Sequence, residues 1–204
     1  MQTPFKVILA SKSPRRLRFF NELGLEVEIR TNAVKEDYPA HLKAREIPDY
    51  LAQLKANALK NTIKSGEILV TSDTVVWHKN HSLAKPKDRK EAYDMLRTLS
   101  NDWHEVITSV CFTTKRAQRT VGQTTRVKFR ELQNREIEYY IDNYRPFDKA
   151  GGYGIQEWIG LIGIEEIQGS YSNVVGLPTH LVYTTLRELV GDSLMDNIEK
   201  NTAL

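Results

Sequence analysis

The sequence predicts a mixed α/β fold, with a central sheet flanked by helices. Short, continuously apolar runs such as FKVILAS (Phe5–Ser11) and EILVTSDTVVWH (Glu67–His78) read as buried strands. Segments with apolar residues at helical spacing fall between the strands. The order of the two kinds of segment departs from a strict βαβ repeat, which points to a mixed sheet.

The elements follow in order. After FKVILAS, Ser13 caps a helix, Pro14 occupies its first turn and Gly24 ends it, with Leu17, Phe20 and Leu23 as its apolar stripe. LEVEIRT alternates as a second strand, and the polar, proline-bounded NAVKEDYPAHLKAREIP reads as a loop. Tyr50–Ile63 reads as a helix with Leu51, Leu54, Ala58 and Leu59 inward. EILVTSDTVVWH is a strand interrupted at Ser72-Asp73-Thr74, and His78 and His81 flank an exposed hairpin turn. Asp88 and Glu91 resemble a capping box for a helix ending near Leu99. WHEVITSVCFTT and TVGQTTRVKF read as paired strands, and NREIEYYIDNY as a helix ending before Pro146. DKAGGYGIQ is a glycine-rich loop, GLIGIEEIQG a strand, and Pro178–Val190 the final helix. The polar tail after Gly191, about residues 192–204, is expected to fray.

A length of 204 residues suits one domain, 1–204. The net charge of +3, spread without a basic tract, disfavours a nucleic-acid-binding module. The lone Cys111 sits in an apolar run and reads as a core residue. No segment approaches the roughly 18 apolar residues of a membrane span. The N-terminal apolar run is too short for a secretory signal, so a cytoplasmic location is expected.

Four places depart from a plain scaffold. Ser11, Ser13, Arg15 and Arg16 gather at a strand-to-helix junction, where free N–H groups attract anions; solvated arginines at a Ser-Pro helix start are the alternative. Asp73 lies inside an apolar strand, where a carboxylate needs a metal, a cation or backbone amides, unless it caps a turn. Lys55 and Lys85 taken singly read as solvated, and gain meaning only as members of a set. In DKAGGYGIQ, Lys149 precedes three glycines that permit close backbone approach to a ligand, and Gln156 closes the loop with an amide that donates and accepts; a flexible turn is the alternative.

Taken in order, ILASKSPRRLRFFNELGLEVEI, Glu36, LKANA, SDTVV, AKPKD, MLRTLS, HEVITSV, DKAGGYGIQ and GSYSNVVGLP resemble the Maf family of nucleoside triphosphate pyrophosphatases, from about Val7 to Leu189. The resemblance implies a long twisted sheet with two lobes and a cleft, shared with inosine triphosphate pyrophosphatases. It implies hydrolysis between the α and β phosphates with Mg²⁺ or Mn²⁺, in a homodimer. Ser11, Ser13, Arg15 and Arg16 match the triphosphate grip, and Lys55, Lys85 and Lys149 match further basic positions. Asp73 matches the general base, and Glu36, with Asp73, would help hold the metal.

Arg15, Thr74 and Gln156 match specificity positions of the group favouring dTTP and UTP. A glutamine amide suits the O4 and N3–H of uracil or thymine, although a flipped amide also suits cytosine. Thr71-Ser72 stands where Gly-Ala is usual, and Gly152 where alanine is usual. A nucleotide-binding regulator without catalysis, and a broader house-cleaning enzyme acting on modified pyrimidine nucleotides, are the rival readings.

Overall fold

The computed structural model describes residues 5–202. Strand β1 (Lys6–Leu9) leads through helix α1 (Pro14–Glu22) to β2 (Val27–Ile29), and a long loop reaches α2 (Glu46–Leu59). Strands β3 (Glu67–His78) and β4 (His81–Leu83) form a hairpin, followed by α3 (Arg89–Leu99). Strands β5 (Trp103–Thr113) and β6 (Gln118–Phe129) form a second hairpin, followed by α4 (Asn134–Tyr144). The chain then runs through α5 (Trp158–Gly163), β7 (Ile164–Gln168), α6 (Tyr171–Val175), α7 (Thr179–Val190) and α8 (Ser193–Thr202).

All of these strands join one sheet in the order β2-β1-β3-β5-β6-β7, with β4 on β3. Strands β2, β1 and β3 run parallel, and the β3-β5-β6-β7 ladders are antiparallel. The sheet is therefore mixed, as the sequence predicts.

One detail of register creates the site. Strand β5 pairs with β3 from Leu69 to Trp77, filling one edge. The other edge is shared: β1 pairs with Glu67–Val70, and β4 pairs with Val76–His78. Residues 71–75 of β3 are left as an open notch between the end of β1 and the start of β4. The β1–α1 junction lies on one side of the notch, and Ala84-Lys85 on the other.

Alternation along β3 sorts the core. Leu69 and Val75 face α2, in clusters with Ile8, Ala52, Ala56 and Cys111, and with Ile47 and Leu51. On the opposite face, Val70 packs with Phe20, Val110, Val182 and Leu194 beneath α1, α7 and α8. Farther along that face, Val76 packs with Leu96, Val106, Phe129 and Tyr140 beneath α3 and α4. Ser72 and Thr74 fall between these two clusters and break the apolar face with a polar belt.

Several sequence expectations change. Strand β3 is continuous through Ser72-Asp73-Thr74, because β5 pairs along that whole stretch, while Asp73 meets Lys55 on one face and Thr74 meets Arg16 and Thr108 on the other. Helix α2 begins at Glu46, within the expected loop, with Pro48 in its first turn; Ala52 and Ala56 are buried, and Ala58 is exposed. GLIGIEEIQG divides into the end of α5 and β7, since the Glu157 carbonyl accepts from Gly160 and Leu161 and curls the chain before the strand. The tail is helical as α8 from Ser193 to Thr202, with Leu194 buried and Asn201 donating to the Gly24 carbonyl at 3.1 Å, and residues 203–204 lie outside the described residues. The hairpin turn at Lys79-Asn80 forms, but His78 is buried and bonded to Asp102 at 3.0 Å.

Candidate active site

At the notch lies a cleft of about 750 Å³ whose walls bring together Ser11, Ser13, Arg15, Arg16, Glu36, Lys55, Asp73, Thr74, Lys85, Lys149 and Gln156. Every candidate site residue named from the sequence thus lines one cleft, although six separate segments supply them.

The grip forms where β1 ends. Ser13 is the N-cap of α1, its hydroxyl accepting from the Arg16 N–H at 3.5 Å, and Pro14 opens the first turn. The Ser11 hydroxyl accepts from the Ser13 N–H at 3.2 Å. The two arginines differ. Arg15 is part-exposed at the cleft, 3.4 Å from Asp148. Arg16 turns inward and donates from Nε to the Gly176 carbonyl (2.9 Å), from Nη1 to the Ser72 carbonyl (3.0 Å) and from Nη2 to Thr74 Oγ1 (3.2 Å). Arg16 therefore rivets α1 to β3 and to the α6–α7 turn, and presents less free donor capacity to a ligand than Arg15 does.

The acidic centre is built around Lys55. On the α2 face of β3, Asp73 is 8% exposed, and Lys55 Nζ lies 2.5 Å from its Oδ1 and 2.9 Å from Glu36 Oε1. Burial raises the Asp73 pKa above the usual carboxylate range, against the opposing pull of Lys55 and Arg16. Glu36 lies on the long loop. Burial pushes its pKa up, but the Lys55 hydrogen bond and the charges of Lys55, Lys85 and Arg16 outweigh burial and hold it below the ordinary value.

Two carboxylates close to one ammonium supply hard oxygen donors at a single point. Among the described residues no group of three or more His, Cys, Asp or Glu side chains converges. This donor set fits Mg²⁺ or Mn²⁺ completed by substrate phosphates and water, since magnesium commonly takes only one or two protein carboxylates.

The glycine-rich loop forms the far wall. Gly151 has φ 70°, and a Cβ there would press on Val76 at 3.0 Å. Lys149 Nζ is held 2.6 Å from Asp148 Oδ1 and 3.1 Å from Glu157 Oε1. The other Glu157 oxygen accepts from the Tyr140 hydroxyl, which itself accepts from the Gly154 N–H at 3.0 Å. Burial, then the Glu157 carboxylate, raises the Tyr140 pKa. A Cβ on Gly154 would meet Glu157 Cδ at 2.9 Å, which accounts for glycine there. Gln156 is exposed at the cleft, and so is Lys85 beyond β4.

Sequence reasoning missed Tyr140, Glu157, Thr108 and Asn173, which hold the cleft walls from outside. Tyr140 reads as a helix core residue, and Thr108 as one strand position among many. Only the β3–β5 register and the fold of the loop reveal their partners.

The Maf-like protein family model matches residues 6–189. The chain is 54% identical over 186 residues to a dTTP/UTP pyrophosphatase of Flavobacterium johnsoniae, spanning 91% of this chain and 96% of that protein. It is 55% identical over 185 residues to one of Christiangramia forsetii, spanning 91% and 94%. Among solved structures, a dITP/XTP pyrophosphatase from Mycobacterium abscessus aligns over 92% of this chain and 99% of its own, at 14% identity and a TM-score of 0.46. With a family match over nearly the whole chain and relatives above half identity, this chain belongs to the Maf-like protein family.

Proposed function

We propose that this protein is a nucleoside triphosphate pyrophosphatase that hydrolyses dTTP and UTP to the monophosphate and pyrophosphate. The observation that carries the reading is the convergence at one notch of Asp73, Glu36 and the cations Arg15, Lys55, Lys85 and Lys149. The names of the relatives supply the substrates.

In this reading the helix start at Ser11–Arg16, with Arg15, Lys85 and Lys149, receives the triphosphate, since backbone N–H groups and cations favour an anion there. Asp73, its proton affinity raised by burial, takes a proton from the water that attacks the α phosphorus. The bond from that phosphorus to the bridging oxygen breaks, and pyrophosphate leaves with the electron pair. Lys55 keeps Asp73 ionised and oriented. Glu36 and Asp73 would hold the divalent cation, which supplies charge neutralisation on the phosphates. Gln156 and Thr74 face the base edge. A cytoplasmic homodimer completes the proposal, supported by the family resemblance, and the single sheet that the strands share supports a one-domain chain.

The test is pyrophosphate release from a panel of triphosphates with Mg²⁺ or Mn²⁺. The proposal expects turnover of dTTP and UTP above purine triphosphates; binding without turnover would refute it.

A further inference from the structure

A closed ring of hydrogen bonds runs beneath the cleft, through the polar belt between the two apolar clusters. Arg16 Nη2 donates to Thr74 Oγ1 at 3.2 Å. Thr74 Oγ1 lies 2.9 Å from Thr108 Oγ1, and Thr108 donates to the Asn173 carbonyl at 3.0 Å. The Gly176 N–H also donates to that carbonyl at 3.0 Å, and the Gly176 carbonyl accepts from Arg16 Nε at 2.9 Å, which closes the ring.

The donors in this ring are fixed by counting protons. A threonine hydroxyl has one proton and two lone pairs. Thr108 gives its proton to a carbonyl, which can only accept. The proton between the two hydroxyls must therefore come from Thr74. Its one proton is spent on Thr108 and one lone pair on Arg16, so a single lone pair remains to offer to the cleft that Thr74 lines. Thr108 and Asn173 are fully buried, and the Asn173 side chain is clamped to the Val106 carbonyl and Thr125 Oγ1 at 2.9 Å each. The ring has little freedom to reverse.

We propose that Thr108, which lies outside the cleft, is a specificity-positioning residue: by taking the proton of Thr74 it makes that hydroxyl an acceptor only. The inference rests on the reading that Thr74 and Gln156 face the base edge. An acceptor there matches the N3–H of uracil or thymine and opposes N3 of cytosine, which carries a lone pair. This removes the ambiguity of the glutamine amide, which alone would serve either edge by flipping. A site that pairs with one edge rejects the other because buried polar groups are left unpaired.

The experiment measures kcat/KM for UTP and CTP on the native protein, Thr108→Val and Thr108→Ser, with 3-methyl-UTP as a third substrate on the native protein. Valine keeps the shape and frees the Thr74 proton to turn to the cleft, so the UTP-to-CTP ratio should fall about three- to tenfold, partly through a gain on CTP, the scale of one hydrogen bond. Serine keeps the hydroxyl and should keep the native ratio. Thr108→Ala gives the same comparison if valine is not accommodated. Equal proportional losses on both substrates would overturn the inference and leave Thr108 a packing residue. Because 3-methyl-UTP has no N3 proton, its turnover at the UTP rate would instead refute base-edge reading itself. Its rejection with an unchanged ratio in Thr108→Val would refute only the part given to Thr108.

Discussion

Replacing Lys55 by methionine isolates the electrostatics of the cleft. The substitution keeps the stem on α2 and removes the ammonium 2.5 Å from Asp73, whose side chain is 11% exposed. Removing one partner of a fully buried ion pair costs about 3–5 kcal/mol, because a bare charge is stranded. Two features lower the figure here. Arg16 still acts on Asp73, and the carboxylate can take up a proton, at about 1.4 kcal/mol for each pH unit between its new pKa and the solution. A loss of roughly 2 kcal/mol near neutral pH follows. For a chain of this size that is about 4–8 °C in Tm.

The sign of the pH dependence is the sharper test. Asp73 in the variant has a folded pKa further above its unfolded value. The folded state then binds more protons than the unfolded state, and stability falls as pH rises through that window. The gap to the native protein should therefore be large at about pH 8 and shrink towards about pH 5. Adding Asp73→Asn should recover most of the loss, since no charge is then stranded. Urea unfolding of the four proteins at both pH values makes the measurement. A penalty independent of pH, or one that Asp73→Asn does not relieve, would refute the reasoning.

Asp73→Asn alone should lower kcat about a hundred- to ten-thousand-fold with a smaller change in KM, the usual reach of a general base; near-native turnover at saturating metal would remove that role. Gln156→Glu sets a carboxylate against the O4 acceptor and should lower kcat/KM for dTTP and UTP by roughly tenfold, and for purine triphosphates less, as read from initial rates on four substrates. Away from the site, the Arg30 guanidinium grips both Glu67 oxygens at 2.9 Å each and lowers the Glu67 pKa to about 2. That pair stabilises fully above the unfolded carboxylate pKa and is lost as pH falls towards about 2, so the stability gap between the native protein and Arg30→Met should close over that range in urea titrations.

Much of the candidate site was legible because its side chains are concentrated in short segments that depart from a plain core. Asp73 in an apolar strand and three glycines beside Lys149 are unusual in a scaffold, although a turn cap and a flexible turn are the alternatives, and the structure puts Asp73, Lys149 and Gly154 on one cleft. The strand-to-helix start at Ser11–Arg16 could be read locally, because its cap and proline act within one turn. The roles of Arg15 and Arg16 could not be separated, since the second reaches residues 56 to 160 positions away. The break expected at Ser72-Asp73-Thr74 did not occur, because polarity along a strand says nothing about the partner on its far edge. The polar composition after Gly191 predicts a fraying tail, whereas Leu194 anchors α8 in the cluster beneath α1 and α7. The Thr74–Thr108 contact depends on cross-strand register, which alternation alone does not specify.

The most direct test follows the products of UTP by phosphorus NMR in the presence of Mg²⁺. The account predicts UMP and pyrophosphate in equal amounts, formed by the native protein and nearly abolished in Asp73→Asn. Formation of UDP and orthophosphate, or UMP formation undiminished in Asp73→Asn, would contradict it.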